Sequence, residues 1–342
     1  MGDEFFDLPS ETQKSILVAA TNQLNLSEMV LEKDIWICWL LKQLFSLPLQ
    51  MAFKGGTSLS KVFSLINRFS EDVDITIDYR NFINPIDFNT ISRSQLKKLS
   101  EQLKSQMKAS IEYKIFPSLN RQISERFSKH NFKLCLNDDG EKLEFYYSSL
   151  FQSDFNYLRD HVLIEFGVRN TTEPSQSHEI KTLLSKAVQP TLILPTAMIN
   201  TLQPERTFWE KATLIHVECH RNRLPVNPDR LSRHWYDLAL LTYSWVGTSA
   251  LEQQHILKDV IQHKKAFFNA NYTHYDDCLT GKFRLIPNPD ELRHLETDLK
   301  KMKEAGMFQT MPPSFETIII TLSEMENKIN KLMIQEHEEF IV

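Results

Sequence analysis

Glycine is the first absence: only eight of the 342 residues are Gly, where average usage of about 7% would give roughly three times as many. A chain with so few freely turning positions, 22 Phe and abundant Leu, Lys and Glu reads as helix-rich. Cysteine is rarer still. Cys38, Cys135, Cys219 and Cys278 lie far apart with no Cys-x-x-Cys, which speaks against a disulfide framework or a thiolate zinc site and makes a reducing cytoplasm the default compartment. No apolar run approaches the ~20 residues of a membrane span. The N-terminal MGDEFFDLPSETQ opens acidic without an apolar h-region, so no signal peptide is expected, and Phe6 departs from the myristoylation pattern. Positive charge is also in deficit, with 39 Lys and Arg against 44 Asp and Glu for a net of −5. Nucleic-acid binding through bulk positive charge is thereby excluded, while a local basic face stays open.

What is present is the balance of a soluble globular chain, 42% apolar and 24% charged, long enough for two packed domains. Ser10 to Gln13 has the capping-box pattern before an apolar-periodic helix. A second helix is expected from about Ser27 to Phe45, with the mostly apolar interior Ile35-Trp36-Ile37-Cys38-Trp39-Leu40-Leu41. Leu49 to Phe53 reads as a short strand and Leu59 to Ile66 as a helix, while Asp72 to Asp78 alternates polar and apolar residues like a two-faced strand. A charged amphipathic helix from Ser92 to about Ser110 reads as an insertion, and Arg93 to His130 holds nine Lys or Arg against three Glu, a local excess of six. Asn137-Asp138-Asp139-Gly140 between two apolar runs marks a hairpin, and His161 to Arg169 a further strand. From about Thr201 the chain reads as successive helices, broken near Pro225, Pro228, Pro287 and Pro312-Pro313. The fold class expected is mixed α/β. Residues 1–200 are expected to form a domain with a helical N-terminal segment (1–46) and the basic insertion (about 90–130), and 201–342 a helical C-terminal domain.

The densest chemical signal is FKGGTSLSKVFSLINRFSEDVDITID, Phe53 to Asp78. A Gly-Gly pair at a strand end lets backbone approach a ligand without Cβ obstruction. Thr57 and Ser58 open a helix whose N–H groups and dipole favour an anion such as phosphate. Asp72 and Asp74 stand two apart on a strand, on one face and roughly 6–7 Å apart at Cα. Two such carboxylates repel unless a cation lies between them, and hard oxygen donors suit Mg²⁺. A phosphate cradle beside metal carboxylates is the apparatus of phosphoryl or nucleotidyl transfer. It is not a Walker loop, because Lys54 precedes the glycines. A turn and a solvated strand face are the plainer readings of each half alone; their order in the chain is what is specific.

Gly55-Gly56-Thr57-Ser58 with Ser70-Glu71-Asp72-Val73-Asp74 resembles the signature of the nucleotidyltransferase-fold AbiEii/AbiGii toxin family, toxin components of AbiE-type bacterial toxin–antitoxin and phage abortive-infection systems. Glu32-Lys33-Asp34-Ile35-Trp36 is similar to a helix of that family. Arg206-Thr207-Phe208-Trp209-Glu210-Lys211 and Arg233-His234-Trp235-Tyr236-Asp237-Leu238 resemble its third and fourth motifs, and the ending around Met307-Phe308 and Pro312-Pro313-Ser314-Phe315 is also similar. The resemblance implies a DNA-polymerase-β-like core that transfers a nucleoside monophosphate from an NTP, for relatives to the 3′ end of tRNA. It further implies a cognate antitoxin encoded nearby. On it, Gly55, Gly56, Thr57 and Ser58 would hold the triphosphate with Lys61 nearby, and Ser70 would shape the turn. Asp72 and Asp74 would bind Mg²⁺, Lys211 would neutralise phosphate charge, and Asp237 is the motif-four acid. Glu165, on the strand HVLIEFGVR, would be a third carboxylate activating the attacking hydroxyl, or else a half-buried strand residue paired with Arg169.

Two further readings of function stay open: the same chemistry on a protein or small-molecule acceptor, and a nucleotide-binding module without catalysis. The intact Asp pair argues against the latter. Lys211 could instead be a helix-surface lysine pairing with Glu205, Glu210 or Glu218. His216 and His220 have the i, i+4 spacing zinc could use, but Val217 stands where the metalloprotease pattern needs Glu, and two ordinary helix-face histidines are the better account. No Gly-x-Ser-x-Gly elbow supports a serine hydrolase. Trp36, Trp39, Trp209, Trp235 and Trp245 lie on apolar patterns and read as core. Oligomeric state is not legible.

Overall fold

The computed structural model describes residues 4–85, 91–127, 132–151, 158–221 and 230–339. His130, and the expected breaks at Pro225 and Pro228, lie outside the described residues. The chain divides into two compact units. Unit 1 comprises Met1–Pro85, Ser100–Leu202 and Ala305–Thr310; unit 2 comprises Ile86–Leu99, Gln203–Glu304 and Met311–Val342.

Two helices lead, α1 (Ser10–Leu24) and α2 (Glu28–Phe45). Ser27 caps α2 by accepting the Val30 N–H at 3.4 Å. The capping box expected at Ser10 does not form: Pro9 occupies the N-cap, makes no side-chain cap, and Gln13 donates instead to the Leu8 carbonyl. There follow β1 (Met51–Lys54), α3 (Gly55–Lys61) and β2 (Val73–Ile77). Helix α3 starts four residues before the expected Leu59 and stops at Lys61, with Ser64 turning left-handed at φ 53 soon after. Then come α4 (Arg93–Ser110), a π turn (Ile111–Ile115), α5 (Phe116–Arg126) and the expected hairpin of β3 (Lys133–Leu136) and β4 (Lys142–Tyr146). Strands β5 (His161–Gly167), β6 (Ser175–Lys181) and β7 (Thr196–Leu202) complete a mixed seven-stranded sheet of order β3-β4-β5-β2-β1-β7-β6. The mixed α/β class is as expected, but β6 and β7 carry no strand expectation in the sequence.

The centre of the sheet is set by non-local pairing. Strands β1 and β2 are antiparallel, while β5 lies parallel to β2 and β7 parallel to β1. Helix α2 is buried along most of its length. Its Trp36 meets Phe6, Phe127, Phe132, Phe145 and Tyr147 at ring-centroid distances of 4.4–5.5 Å. Truncating one such ring costs about 3–5 kcal/mol. Glu32, Lys33 and Asp34 are buried within the same helix, and charges so placed must find partners.

Unit 2 is helical: α6 (Pro204–His220), α7 (Ser232–Tyr243), α8 (Trp245–Glu252), α9 (Gln254–Phe267), α10 (Pro289–Glu304) and α11 (Phe315–Glu339). Pro204 pre-sets the first turn of α6. Trp209 and Trp235 are core residues whose indole N–H groups reach the carbonyls of Ala250 at 3.2 Å and Leu285 at 3.0 Å. Trp245 departs from the expectation of a core residue; it opens α8 and is 58% exposed. Among the described residues no helix is long and apolar enough to cross a membrane.

His216 is fully buried, and both ring nitrogens are committed. Its Nδ1 accepts the Arg284 N–H at 3.0 Å, which leaves Nε2–H to donate to the His274 carbonyl at 3.1 Å. Only the neutral ring fits this pattern. Burial, with His220 alongside, lowers its pKa to about 4 from 6.5. The unfolded chain therefore binds the extra proton between those values. The stabilisation is complete above about pH 6.5 and is lost as pH falls toward 4, by up to about 3 kcal/mol. Urea midpoints at pH 7 and pH 4.5 check this: His216→Gln should lower the midpoint at pH 7 and lose less than wild type on acidification. An equal acid loss in both proteins would count against it.

Candidate active site

The register of β1 against β2 places Lys54 opposite Asp74. At the end of β1 the backbone turns left-handed at Gly55, φ +79, and a Cβ built there would stand 2.1 Å from Asp74 Oδ2. The glycine is thus required twice, by its conformation and by the carboxylate lying against its backbone. Helix α3 begins at this point, and its first N–H groups have no acceptor within the helix.

Thr57 is buried and its hydroxyl donates to the Asp72 carbonyl, and to that of Ser70 at 3.3 Å. Ser58 donates to the Gly55 carbonyl at 2.9 Å. Both hydroxyls therefore tie the loop together through backbone carbonyls. Lys61 also differs from the sequence reading. Its ammonium is buried against Asp34 Oδ1 at 2.5 Å and donates to the Lys181 carbonyl at 3.2 Å, while Asp34 Oδ2 accepts the Leu183 N–H at 2.6 Å. Burial would lower the Lys61 pKa, but the Asp34 carboxylate outweighs it and raises the value. Burial likewise pushes the neighbouring Cys38 thiol up to about 12.

Asp72 immediately precedes β2 and is buried; Asp74, on β2, is half-buried. The parallel register of β2 and β5 sets Asp74 beside Glu165. Asp74 and Glu165 thus sit side by side on adjoining strands, with Asp72 just before the first of them. Glu165 forms its ion pair with Lys142 of β4, the residue opposite it in the antiparallel register, where the sequence offered Arg169.

Arg159 is the residue that sequence reasoning missed. Its Nη1 donates to Asp72 Oδ1 at 2.9 Å, across 87 residues of chain. The backbone of Arg159 is held separately: its N–H donates to Glu71 Oε2 at 3.0 Å and its carbonyl accepts from Lys33 Nζ at 2.7 Å. Lys33 also reaches Glu71 at 2.6 Å, both side chains buried. Burial lowers the Lys33 pKa against the pull of Glu71. Burial raises that of Glu32, which accepts from Ser149 Oγ at 2.6 Å and the Leu150 N–H at 2.9 Å. Each member of the Glu32-Lys33-Asp34 run therefore ties α2 to a different remote segment. No local pattern in the sequence announces Arg159, since its partners come together only through the β2–β5 pairing.

In unit 2, Lys211 of α6 and Asp237 of α7 form a buried ion pair at 2.8 Å. The alternative partners are engaged elsewhere: Glu205 with Ser249, Glu210 with Arg206 and Glu218 with Arg221. The two motif residues thus meet one another.

Gly55→Ala tests the contact at the centre of unit 1. The left-handed φ alone costs a non-glycine residue about 1–3 kcal/mol, and the clash must displace Asp74. We expect a lower urea midpoint by that order and weaker Mn²⁺ binding by titration. Gly167→Ala, with nothing within 4 Å of the added Cβ, should leave metal binding unchanged. Unaltered Mn²⁺ affinity in Gly55→Ala would separate the glycine from the carboxylate.

A family model described as "Nucleotidyl transferase AbiEii toxin, Type IV TA system" matches residues 39–320. No curated protein sequence matches the chain. Among solved structures, the fold is similar to MenT4, nucleotidyltransferase toxin Rv2826c from Mycobacterium tuberculosis H37Rv, at 14% identity and a TM-score of 0.46, covering 95% of this chain and 98% of that one.

Proposed function

Because the chain belongs to the AbiEii nucleotidyl transferase toxin family, and is thereby a nucleotidyltransferase of the type IV toxin–antitoxin class, we propose that it transfers a nucleoside monophosphate from an NTP to RNA, at the 3′ end of tRNA, with Mg²⁺. The observation that carries this reading is that Asp74 lies against the Gly55 backbone and beside Glu165 in the β2–β5 register, with Asp72 two residues earlier at the start of the same strand. All three are hard oxygen donors, which fits a divalent cation of the Mg²⁺ type. Asp72 and Asp74 would hold it, and when bound it supplies positive charge against the triphosphate.

The chain's own residues carry the remaining roles. Backbone N–H groups from Gly55 to Ser58 bind phosphate oxygens, and Ser70 lends its carbonyl to the Thr57 hydroxyl and so holds the turn. Glu165 accepts the proton of the acceptor hydroxyl as its oxygen bonds to the α-phosphorus and the bond to pyrophosphate breaks. Lys211, held by Asp237, supplies the charge that neutralises phosphate. The work is done in the cytoplasm, where NTP and RNA are found, under the control of a cognate antitoxin.

Radiolabelled NTP incubated with total RNA and with cell protein separates the readings. Label is expected on RNA, dependent on Mg²⁺, and lost by about a thousandfold or more in Asp74→Asn, since a ligand that stabilises transition-state charge by several kcal/mol is removed. The melting temperature of that variant should hold or rise, because a like-charge repulsion is relieved. Label on protein would transfer the assignment to another acceptor. Full labelling by folded Asp74→Asn would end it.

The acceptor reading has a second test. Lys97, Lys98 and Lys108 are exposed on α4 and Lys104 is half-exposed, with Leu103 and Met107 buried on the other face. RNA carries a phosphate at every nucleotide, so each lost contact should flatten the salt dependence of binding by about 0.7 in log–log slope. Replacing the four lysines with Gln should weaken RNA affinity and flatten that slope with NTP affinity unchanged. Parallel slopes would assign the lysines to solubility alone.

A further inference from the structure

Unit 2 holds a cluster of ligand-type side chains that the transfer chemistry does not use. His220 ends α6, His274 precedes a 3₁₀ turn at Tyr275–Leu279, and Asp277 lies within that turn. One donor atom from each falls within 4.8 Å of the other two. His274 Nδ1 stands 3.6 Å from Asp277 Oδ2, and the His220 and His274 ring centroids are 4.6 Å apart. With bonds of about 2.0–2.2 Å, two donors on one tetrahedral ion are about 3.4 Å apart, so small side-chain rotations close the set.

The donors are also oriented. His220 Nδ1–H donates to the His216 carbonyl at 2.8 Å, which leaves the lone pair on Nε2. Metal-ligating histidines are fixed in this way by their second nitrogen. His216 itself is excluded as a ligand, since Arg284 N–H occupies its Nδ1 and its Nε2–H holds the His274 carbonyl. The i, i+4 histidine pair of the sequence is therefore split: one ring donates a lone pair, the other pins the backbone of the second ligand. His274 takes the left-handed conformation, φ 46 and ψ 34, uncommon outside glycine. Its carbonyl accepts the Asp277 N–H at 2.9 Å. His274 and Asp277 are 47% and 32% exposed, open to an ion and to a water.

We propose that His220, His274 and Asp277 bind one divalent transition-metal ion, Zn²⁺ before others, with water in the fourth position. The ion fastens the end of α6 to the turn at 275–279. Two imidazoles and one carboxylate select zinc-like ions over Mg²⁺, so this site and the carboxylates of unit 1 draw on different metals.

The test uses the full chain, stripped with chelator and dialysed against Zn²⁺ in excess Mg²⁺. Wild type should retain one zinc per chain, and its melting temperature should rise with zinc concentration. His220→Ala and Asp277→Asn, first checked to melt like the metal-free wild type, should each bind zinc more than about tenfold more weakly, while Asp74→Asn keeps wild-type affinity. Histidine modification by diethyl pyrocarbonate gives a readout that needs no variant: zinc should protect His220 and His274 in wild type. The proposal is overturned by a wild type that retains no zinc, by zinc that protects neither histidine, or by zinc lost in Asp74→Asn and kept in His220→Ala.

Discussion

Negative charge crowded onto neighbouring strands is the constraint on which the rest of unit 1 depends. Asp72 and Asp74 stand two positions apart, and the register sets Glu165 beside Asp74. Two carboxylates roughly 6–7 Å apart, at an effective dielectric near 20, repel by about 2–3 kcal/mol. The fold brings a cation to this group from each side: Arg159 to Asp72 and Lys142 to Glu165, with Lys33 on the adjacent Glu71. Burying a pair such as Lys33–Glu71 is more costly than filling the same space with apolar side chains. The concentration of ion pairs around one strand end, in a chain otherwise rich in Phe and Leu, accordingly reflects positioning rather than stability.

Unit 2 repeats the device with one pair. Asp237 is fully buried and Lys211 nearly so, and breaking a buried ion pair by removing one member costs about 3–5 kcal/mol. The pair helps to fix where the lysine ammonium lies, because its departure would take a cation away from a buried carboxylate. An activity lost on truncating Lys211 therefore mixes chemistry with folding, which is why the carboxylates of unit 1 are the cleaner place to test mechanism.

Much of this was legible where the signal is short-range. Ser27 caps α2, Asn137 to Gly140 turns the β3–β4 hairpin, and the strand, Gly-Gly, helix, strand order stands, with Asp74 on the second strand and Asp72 just before it. What escaped is what depends on tertiary pairing. Lys61 looks like a phosphate ligand by its distance along the chain, but Asp34 of α2 claims it. Arg159 carries no motif and acquires its role only when β5 docks against β2. Strand β6 is mostly exposed with Ile180 as its buried residue, so it lacks the alternation by which a strand is recognised. Trp245 followed an apolar pattern, yet its place in the first turn of α8 leaves it exposed at 58%.

The manner in which Arg159 is held bears on how the carboxylates can serve two states. Its backbone is fixed at both ends of the residue by Glu71 and Lys33, independently of the guanidinium. The side chain, 31% exposed, can leave Asp72 without loosening the segment that carries it. The guanidinium offsets the charge on Asp72 and so limits the repulsion that Asp74 and Glu165 would otherwise impose. A divalent cation held by Asp72 would bring twice the charge and would compete with the guanidinium for that carboxylate. In the proposed mechanism Arg159 would therefore lower metal affinity while offsetting the charge on Asp72. Released from Asp72, the guanidinium would be a donor fork shaped for phosphate, tethered within a side chain's reach of Asp72.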